Sequence, residues 1–162
     1  MPIIKNGDIV EDAWVTLSDD QTLPDGAAVI VSLTRWQSEK SALKASQWAI
    51  GVRIESSESI EDISGDISDL DLIALAFPAF TDGRAYSAAR TLRDQHLYKG
   101  EIRAVGNVLR DQLSFMNRCG FDAFDVDETI TLSVFKTAVA EIDDQYQPAS
   151  DDKAPAYRLA RG

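Results

Sequence analysis

The sequence predicts a single α/β domain built on a mainly parallel sheet of about five strands. Two observations carry this. Five apolar runs begin near residues 28, 49, 71, 101 and 122, and the segments between them read as helical. Strands that alternate with helices form parallel βαβ units with right-handed crossovers. The length of 162 residues, with 44% hydrophobic and 27% charged residues, fits one globular domain over residues 1–146. Five units are too few for an eight-fold barrel, so the expectation is an open sheet with helices on both faces. An incomplete βα barrel is the alternative.

The chain opens as β. Ile3-Ile4, Asn6-Gly7 and Ile9-Val10 spell a tight hairpin, because Asn-Gly supplies the positive φ angles of a type I′ turn. This hairpin is expected as an addition to the main sheet. Trp14, Val15 and Leu17 extend or follow it, and Leu23-Pro24-Asp25-Gly26 forms a loop. Ala27–Leu33 is a continuous apolar run, as expected of a strand buried on both faces. A polar helix follows from Gln37 to Gln47, and Ala49–Ile54 is the second strand. Ile60, Ile63 and Ile67 lie at helical spacing in an acidic segment weakened by Gly65.

Leu70–Phe77 is the strongest buried strand, and Pro78 ends it. A helix from Arg84 to Gln95 follows, capped by Asp82. Glu101–Val105 is the fourth strand. Val108–Cys119 reads as a helix with Val108, Leu109, Leu113, Met116 and Cys119 inward and Gly120 as its left-handed cap. Phe121–Val126 is the fifth strand, and Asp127 is expected to cap a last helix. Residues 147–162 read as a polar tail that is loose or docks on a partner. Trp14, Trp36 and Trp48 are assigned to core or edge packing.

Composition narrows the chemistry. One cysteine, Cys119, and one histidine, His96, cannot build the usual thiolate or histidine metal centres, so no metal and no cofactor is expected. Cys119 reads as a buried structural thiol. His96 falls in a helix-to-strand turn, away from the strand carboxyl ends. No GxGxxG follows a strand, and no phosphate-binding GxxxxGK[ST] loop occurs. The net charge of −11 disfavours binding to nucleic acid or an anionic membrane. No apolar run approaches membrane-spanning length and no signal peptide is evident, so the expected location is cytoplasmic.

The charge is unevenly placed. Residues 54–83 hold eight acids and no Lys or Arg, whereas residues 84–118 hold seven bases against three acids. Residues 55–71 of the acidic segment are a candidate docking face for a basic partner. The basic segment is either a set of solvated helix faces or a local anion site.

Ligands of parallel α/β folds bind beyond the carboxyl ends of the strands. That places Arg35, Asp82, Arg84, Tyr86, Ser87, Asn107 and Arg110 as anion-binding candidates. Arg84, Tyr86 and Ser87 fall in a first helical turn, where free N–H groups favour an anion, and Arg110 falls in the equivalent turn of the next helix. Gly83 lets the chain turn sharply between strand and helix. Sulfite, sulfate or phosphate would suit two such arginines. The competing reading is a rigid corner in which Asp82 pairs with Arg84 or Arg110.

The block Phe77–Arg90 (FPAFTDGRAYSAAR), with Gly100–Gln112 and Arg118–Phe124, resembles a bacterial family of unknown molecular function. Its genes commonly lie beside assimilatory sulfite reductase, and its members are often labelled oxidoreductases or sulfite-reduction proteins. Asp12-Ala13-Trp14, Pro24-Asp25-Gly26 and Val31–Trp36 extend the likeness to nearly the whole chain. The signature falls on Phe80, Asp82, Gly83, Arg84, Tyr86, Ser87, Arg90, Arg103, Gly106, Arg110, Asp111, Gln112 and Cys119. Two positions depart from it: Ala85 stands where the family usually has glycine and Asn107 where it usually has aspartate. The resemblance implies an accessory of sulfite assimilation that binds a small oxyanion or docks sulfite reductase. A small cofactor-independent enzyme acting on an anionic metabolite, and a structural interaction module, stay open beside it. The oligomeric state is not legible.

Overall fold

The computed structural model describes residues 2–78 and 83–145. One eight-stranded sheet organises them, in the order β2-β1-β8-β7-β6-β5-β4-β3. The strands are β1 (Pro2–Lys5), β2 (Asp8–Glu11), β3 (Trp14–Thr16), β4 (Ala28–Ser32), β5 (Ile50–Ile54), β6 (Leu72–Phe77), β7 (Glu101–Gly106) and β8 (Ala123–Phe124). The helices are α1 (Leu33–Ala45), α2 (Arg84–Asp94), α3 (Leu113–Cys119) and α4 (Leu132–Gln145). The five expected strands are all present, and β3 through β8 are parallel neighbours in chain order.

The expected count of about five strands is too low. Trp14–Thr16 is a sixth parallel strand, and the N-terminal hairpin joins the same sheet by antiparallel pairing of β1 with β8 (Ile4 opposite Phe124). Ile3 and Ile4 are both buried, because β1 is covered on both faces. Asn6 (φ 52°) and Gly7 (φ 85°) take the left-handed conformations expected of the turn.

The chain link between β2 and β3 sets the shape of this sheet. These are its two edge strands, and only Asp12 and Ala13 separate them. Three peptide units span at most about 11 Å. Across a flat sheet the same two edges would lie roughly 34 Å apart, at about 4.8 Å per strand. The sheet therefore curls until its edges approach, with an unpaired seam between β2 and β3. Its helices do not cover both faces. Residues of α1 to α4 pack with Val29, Val31, Val52, Ile73, Leu75, Ile102 and Phe124 on the outer face. The inner face carries Ile30, Leu72, Ala74, Ala76 and Val105, with Trp14 against them and no helical residue. Of the two architectures weighed from sequence, the incomplete barrel describes this arrangement.

Charges brace the inside of the curl. Arg103 on β7 is 2% exposed; its Nε donates to Glu101 at 2.8 Å and its Nη1 to Asp12 at 3.1 Å. Lys5 on β1 pairs with the other oxygen of Glu101 at 2.9 Å. The same Asp12 oxygen accepts the Trp14 backbone N–H at 3.0 Å. Arg103 thereby fastens β7 to the two-residue link that closes the sheet. On the outer face Arg93 acts as a second internal brace, donating to the carbonyls of Tyr98, Gly100 and Gly120 at 2.8, 2.8 and 3.0 Å. Neither arginine is the solvated helix charge or free anion ligand that the basic segment suggested.

Several boundaries differ from expectation for local reasons. α1 starts directly after β4, because the Ser32 hydroxyl accepts from the Arg35 N–H at 3.0 Å and caps the helix there. The acidic segment forms two 3-10 turns, Ile60–Ile63 and Ile67–Asp69, rather than a helix. Val108–Cys119 divides into a 3-10 turn (Arg110–Gln112) and the short α3, which leaves Leu109 exposed. Gly120 (φ 114°) caps α3 as expected, and Cys119 is buried. Asp127 accepts from Thr129 in a turn upstream of α4, whose first turn is capped instead by the Thr131 hydroxyl at 3.2 Å from the Val134 nitrogen. The expected tail at 147–162, and the Asp82 cap, lie outside the described residues.

Two stability measurements test this account. Arg103→Met leaves Glu101 and Asp12 without their guanidinium and should cost about 3–5 kcal/mol in urea unfolding. The double variant Glu101→Met/Arg103→Met should recover most of that loss. Asp66 provides the acid test. Burial raises its pKa, but hydrogen bonds from Lys40 and the Trp36 indole, with the charges of Lys40 and Lys44, bring it below the ordinary carboxylate value. A lowered folded-state pKa stabilises above the unfolded value, and this contribution is lost as pH falls through the folded one. Asp66→Asn should therefore lower stability at neutral pH and flatten its fall below about pH 4.

Candidate functional site

The carboxyl ends of β5, β6 and β7 lie side by side. Three connections leave there, and backbone contacts stitch them together. Arg84, the first residue of α2, sends Nη1 back to the Ser56 carbonyl beyond β5 at 3.0 Å. The Asn107 N–H donates to the Phe77 carbonyl at the end of β6 at 2.9 Å. Gly106 makes that second contact possible. Its φ is +86°, and a Cβ there would stand 2.5 Å from the Phe77 oxygen. This glycine is needed both for its backbone angle and for close approach.

Gly83 is different. It precedes α2 at φ −85° with no neighbour within 4 Å of a Cβ position. The sharp turn expected of it does not use glycine's freedom. Having no side chain, Gly83 makes no capping hydrogen bond to α2. Ser87 is exposed at the end of the first turn of α2, and its N–H makes the first bond of the helix, to the Gly83 carbonyl at 3.4 Å; the N–H groups of residues 84–86 precede it.

Tyr86 lies half-buried between Phe77 (5.2 Å between centroids) and Phe115 (4.8 Å). Burial, and then the neighbouring Cys119, raise its pKa, so the phenol is a hydrogen-bond donor and not a base at neutral pH. Arg90 stacks beside the exposed Phe115 at 6.0 Å.

The other candidates divide. Arg110 stands beyond β7 with its side chain 42% exposed and 4.0 Å from the Asp111 carboxylate. It occupies a 3-10 turn ahead of a seven-residue helix, so the expected second helix dipole is absent at its position. Arg35 leaves the group. It is 6% exposed, donates to the Ser18 carbonyl at 2.9 Å and pairs with Glu39 at 3.2 Å, which binds the β3–β4 connection to α1. Asp82 and Phe80 lie outside the described residues.

Sequence reading missed Arg53. Ladder pairing sets Ser32, Arg53, Ala74 and Arg103 in one row across β4 to β7 on the inner face. Arg53 is partly exposed near the carboxyl end of β5 and pairs with Glu55. Its alternation with Val52 and Ile54 was the available signal, since a period of two turns it away from the outer core.

His96 lies at the opposite end of the sheet, with Nε2 3.8 Å from Glu61. Among the described residues no group of three or more His, Cys, Asp or Glu could hold a metal ion, and no helix is long and apolar enough to cross a membrane.

Residues 51–157 match a bacterial family of proteins of unknown function, DUF934. The chain belongs to this family. The matched region begins within β5 and includes every loop of the stitched site, while β1 to β4 lie ahead of it. No curated protein matches the chain.

The two glycines yield opposite expectations. Gly106→Ala should destabilise the protein by more than about 1 kcal/mol, through strain at positive φ and the clash with Phe77. Gly83→Ala should change thermal unfolding by no more than about 0.5 kcal/mol.

Proposed function

We propose that this DUF934 protein is a cytoplasmic accessory of assimilatory sulfite reduction that holds a small oxyanion at the carboxyl ends of β5 to β7. The observation that carries the anion site is the meeting of three adjacent loops at the carboxyl ends of β5 to β7, where Arg84 opens α2. The Arg84–Ser56 and Asn107–Phe77 contacts hold these loops together. Arg84 supplies the fixed positive charge, Ser87 and the first-turn N–H groups supply donors, and Arg110 supplies a second charge from the neighbouring loop. Tyr86, kept protonated, adds a donor rather than a base. The assignment to sulfite metabolism is supported by the resemblance of residues 77–124 to proteins encoded beside sulfite reductase.

Calorimetry with sulfite and sulfate on the full chain tests the site. Arg84→Ala and Arg110→Ala should each weaken binding by about 1.5–3 kcal/mol, the size of a charge-assisted contact, with the fold intact. Absence of any heat of binding to the native protein would remove the proposal. A strain lacking the gene should grow poorly on sulfate and normally on cysteine; equal growth on both would refute the metabolic assignment.

A further inference from the structure

A concave feature lies at the other end of the strands. A groove of about 180 Å³ runs between the end of α1 and the starts of β5 and β6. Trp36, Leu43 and Ile50 supply its apolar lining, with Trp48, Lys44, Asp69 and Asp71 around them. Small-molecule sites commonly occupy about 300–1,000 Å³, so this groove is the size of one side chain rather than of a metabolite.

Trp48 is the unusual member. It is 47% exposed, although Trp36 beside it is fully buried. The core or edge packing expected of it from sequence therefore holds only in part. The ring is presented on an ordered turn. The Trp48 N–H donates to the Ser46 hydroxyl at 3.1 Å, and the Ser46 N–H donates to the Leu43 carbonyl at 3.1 Å. An exposed indole on an ordered backbone offers a π face at little conformational cost.

Charge identifies the occupant. Asp69 pairs with Lys44 at 3.0 Å, and both remain about 40% exposed. Asp71 is exposed, accepts the Ile50 N–H at 3.4 Å, and makes no ion pair among the described residues. Asp69 and Asp71 belong to a stretch, residues 66–71, with three acids and no Lys or Arg, in a chain of net charge −11. Anions are repelled here and cations drawn in. A guanidinium suits this combination better than an ammonium, because its plane stacks on indole while its fork engages a carboxylate.

We propose that this groove receives an arginine side chain from a partner protein, stacked on Trp48 and paired with Asp71 and Asp69. This inference is independent of the oxyanion site, which lies at the opposite ends of the same strands, so either can fail alone. It also moves the docking surface expected along the acidic segment. There Asp66 is engaged by Lys40 and Trp36, and Glu61 faces His96.

The test uses the ¹⁵N-labelled full chain and the capped peptide acetyl-Gly-Gly-Arg-Gly-Gly-amide, with a citrulline peptide as neutral isostere. The Trp48 indole resonance, identified by Trp48→Phe, should shift saturably at millimolar peptide. The Trp14 indole, on the inner face of the sheet, should not move. Trp48→Ala should abolish binding, Asp69→Asn/Asp71→Asn should weaken it at least about fivefold, and Lys44→Gln should strengthen it by removing a competing cation. Binding should decline as salt rises toward about 0.5 M. An unmoved Trp48 resonance, or equal binding of the citrulline peptide, would overturn the proposal even if Trp48→Ala failed to fold. So would a native dimer that Trp48→Ala dissolves, because the occupant would then be a second copy.

Discussion

Everything in this fold depends on the shortness of the link between β2 and β3. Two residues cannot bridge a flat eight-stranded sheet, so the sheet must bend. Once bent, it acquires an inside and an outside with different demands. The outside takes four helices and most of the large side chains. The inside accepts small residues, Ala74 and Ala76 on the central strand, and one charged cluster. Desolvating Arg103, Glu101, Asp12 and Lys5 is costly, and their mutual pairing offsets that cost only because each carboxylate is engaged. The cluster specifies which strand meets the closing link, a choice that a greasy interior would leave less defined.

The same curl leaves the molecule with two ends that differ in charge. At the carboxyl ends of the strands the connections carry Arg84, Arg110 and the start of α2. At the amino ends, beside β5 and β6, the exposed groups are acids with an indole among them. A net charge of −11 hides this polarity, and sequence averages over segments reveal only half of it. The basic stretch 84–118 loses Arg93 and Arg103 to internal bracing, while Asp66, Asp69 and Glu61 of the acidic stretch face Lys40, Lys44 and His96.

The parallel core was legible because its strands are buried on both faces and read as continuous apolar runs. The Asn-Gly hairpin was legible because its turn demands positive φ. Curl, strand count and helix placement were not. They follow from pairings between residues up to 120 positions apart, such as Ile4 with Phe124, which leave no local trace. β8 has two residues and β3 has three, too few for a periodic signal. α1 turns only Leu33, Trp36 and Leu43 to the core among many polar residues, and its Ser32 cap marks where it begins. The site was half legible. The rule for strand carboxyl ends located Arg84, Asn107 and Arg110, but it could not know that Arg35 would turn to Ser18 and Glu39. Nor could it weigh Arg53, whose side is decided by the register of its neighbours.

The place of the hairpin also sets an order of assembly. Residues 2–11 are made well before their partner strand β8. Until it emerges, Ile3 and Ile4 have no sheet to join, and Lys5 and Asp12 wait for Glu101 and Arg103. Such long-range closure is slow and leaves apolar strand edges open during synthesis. The hairpin can thus take its place in the sheet only after β8 has been made.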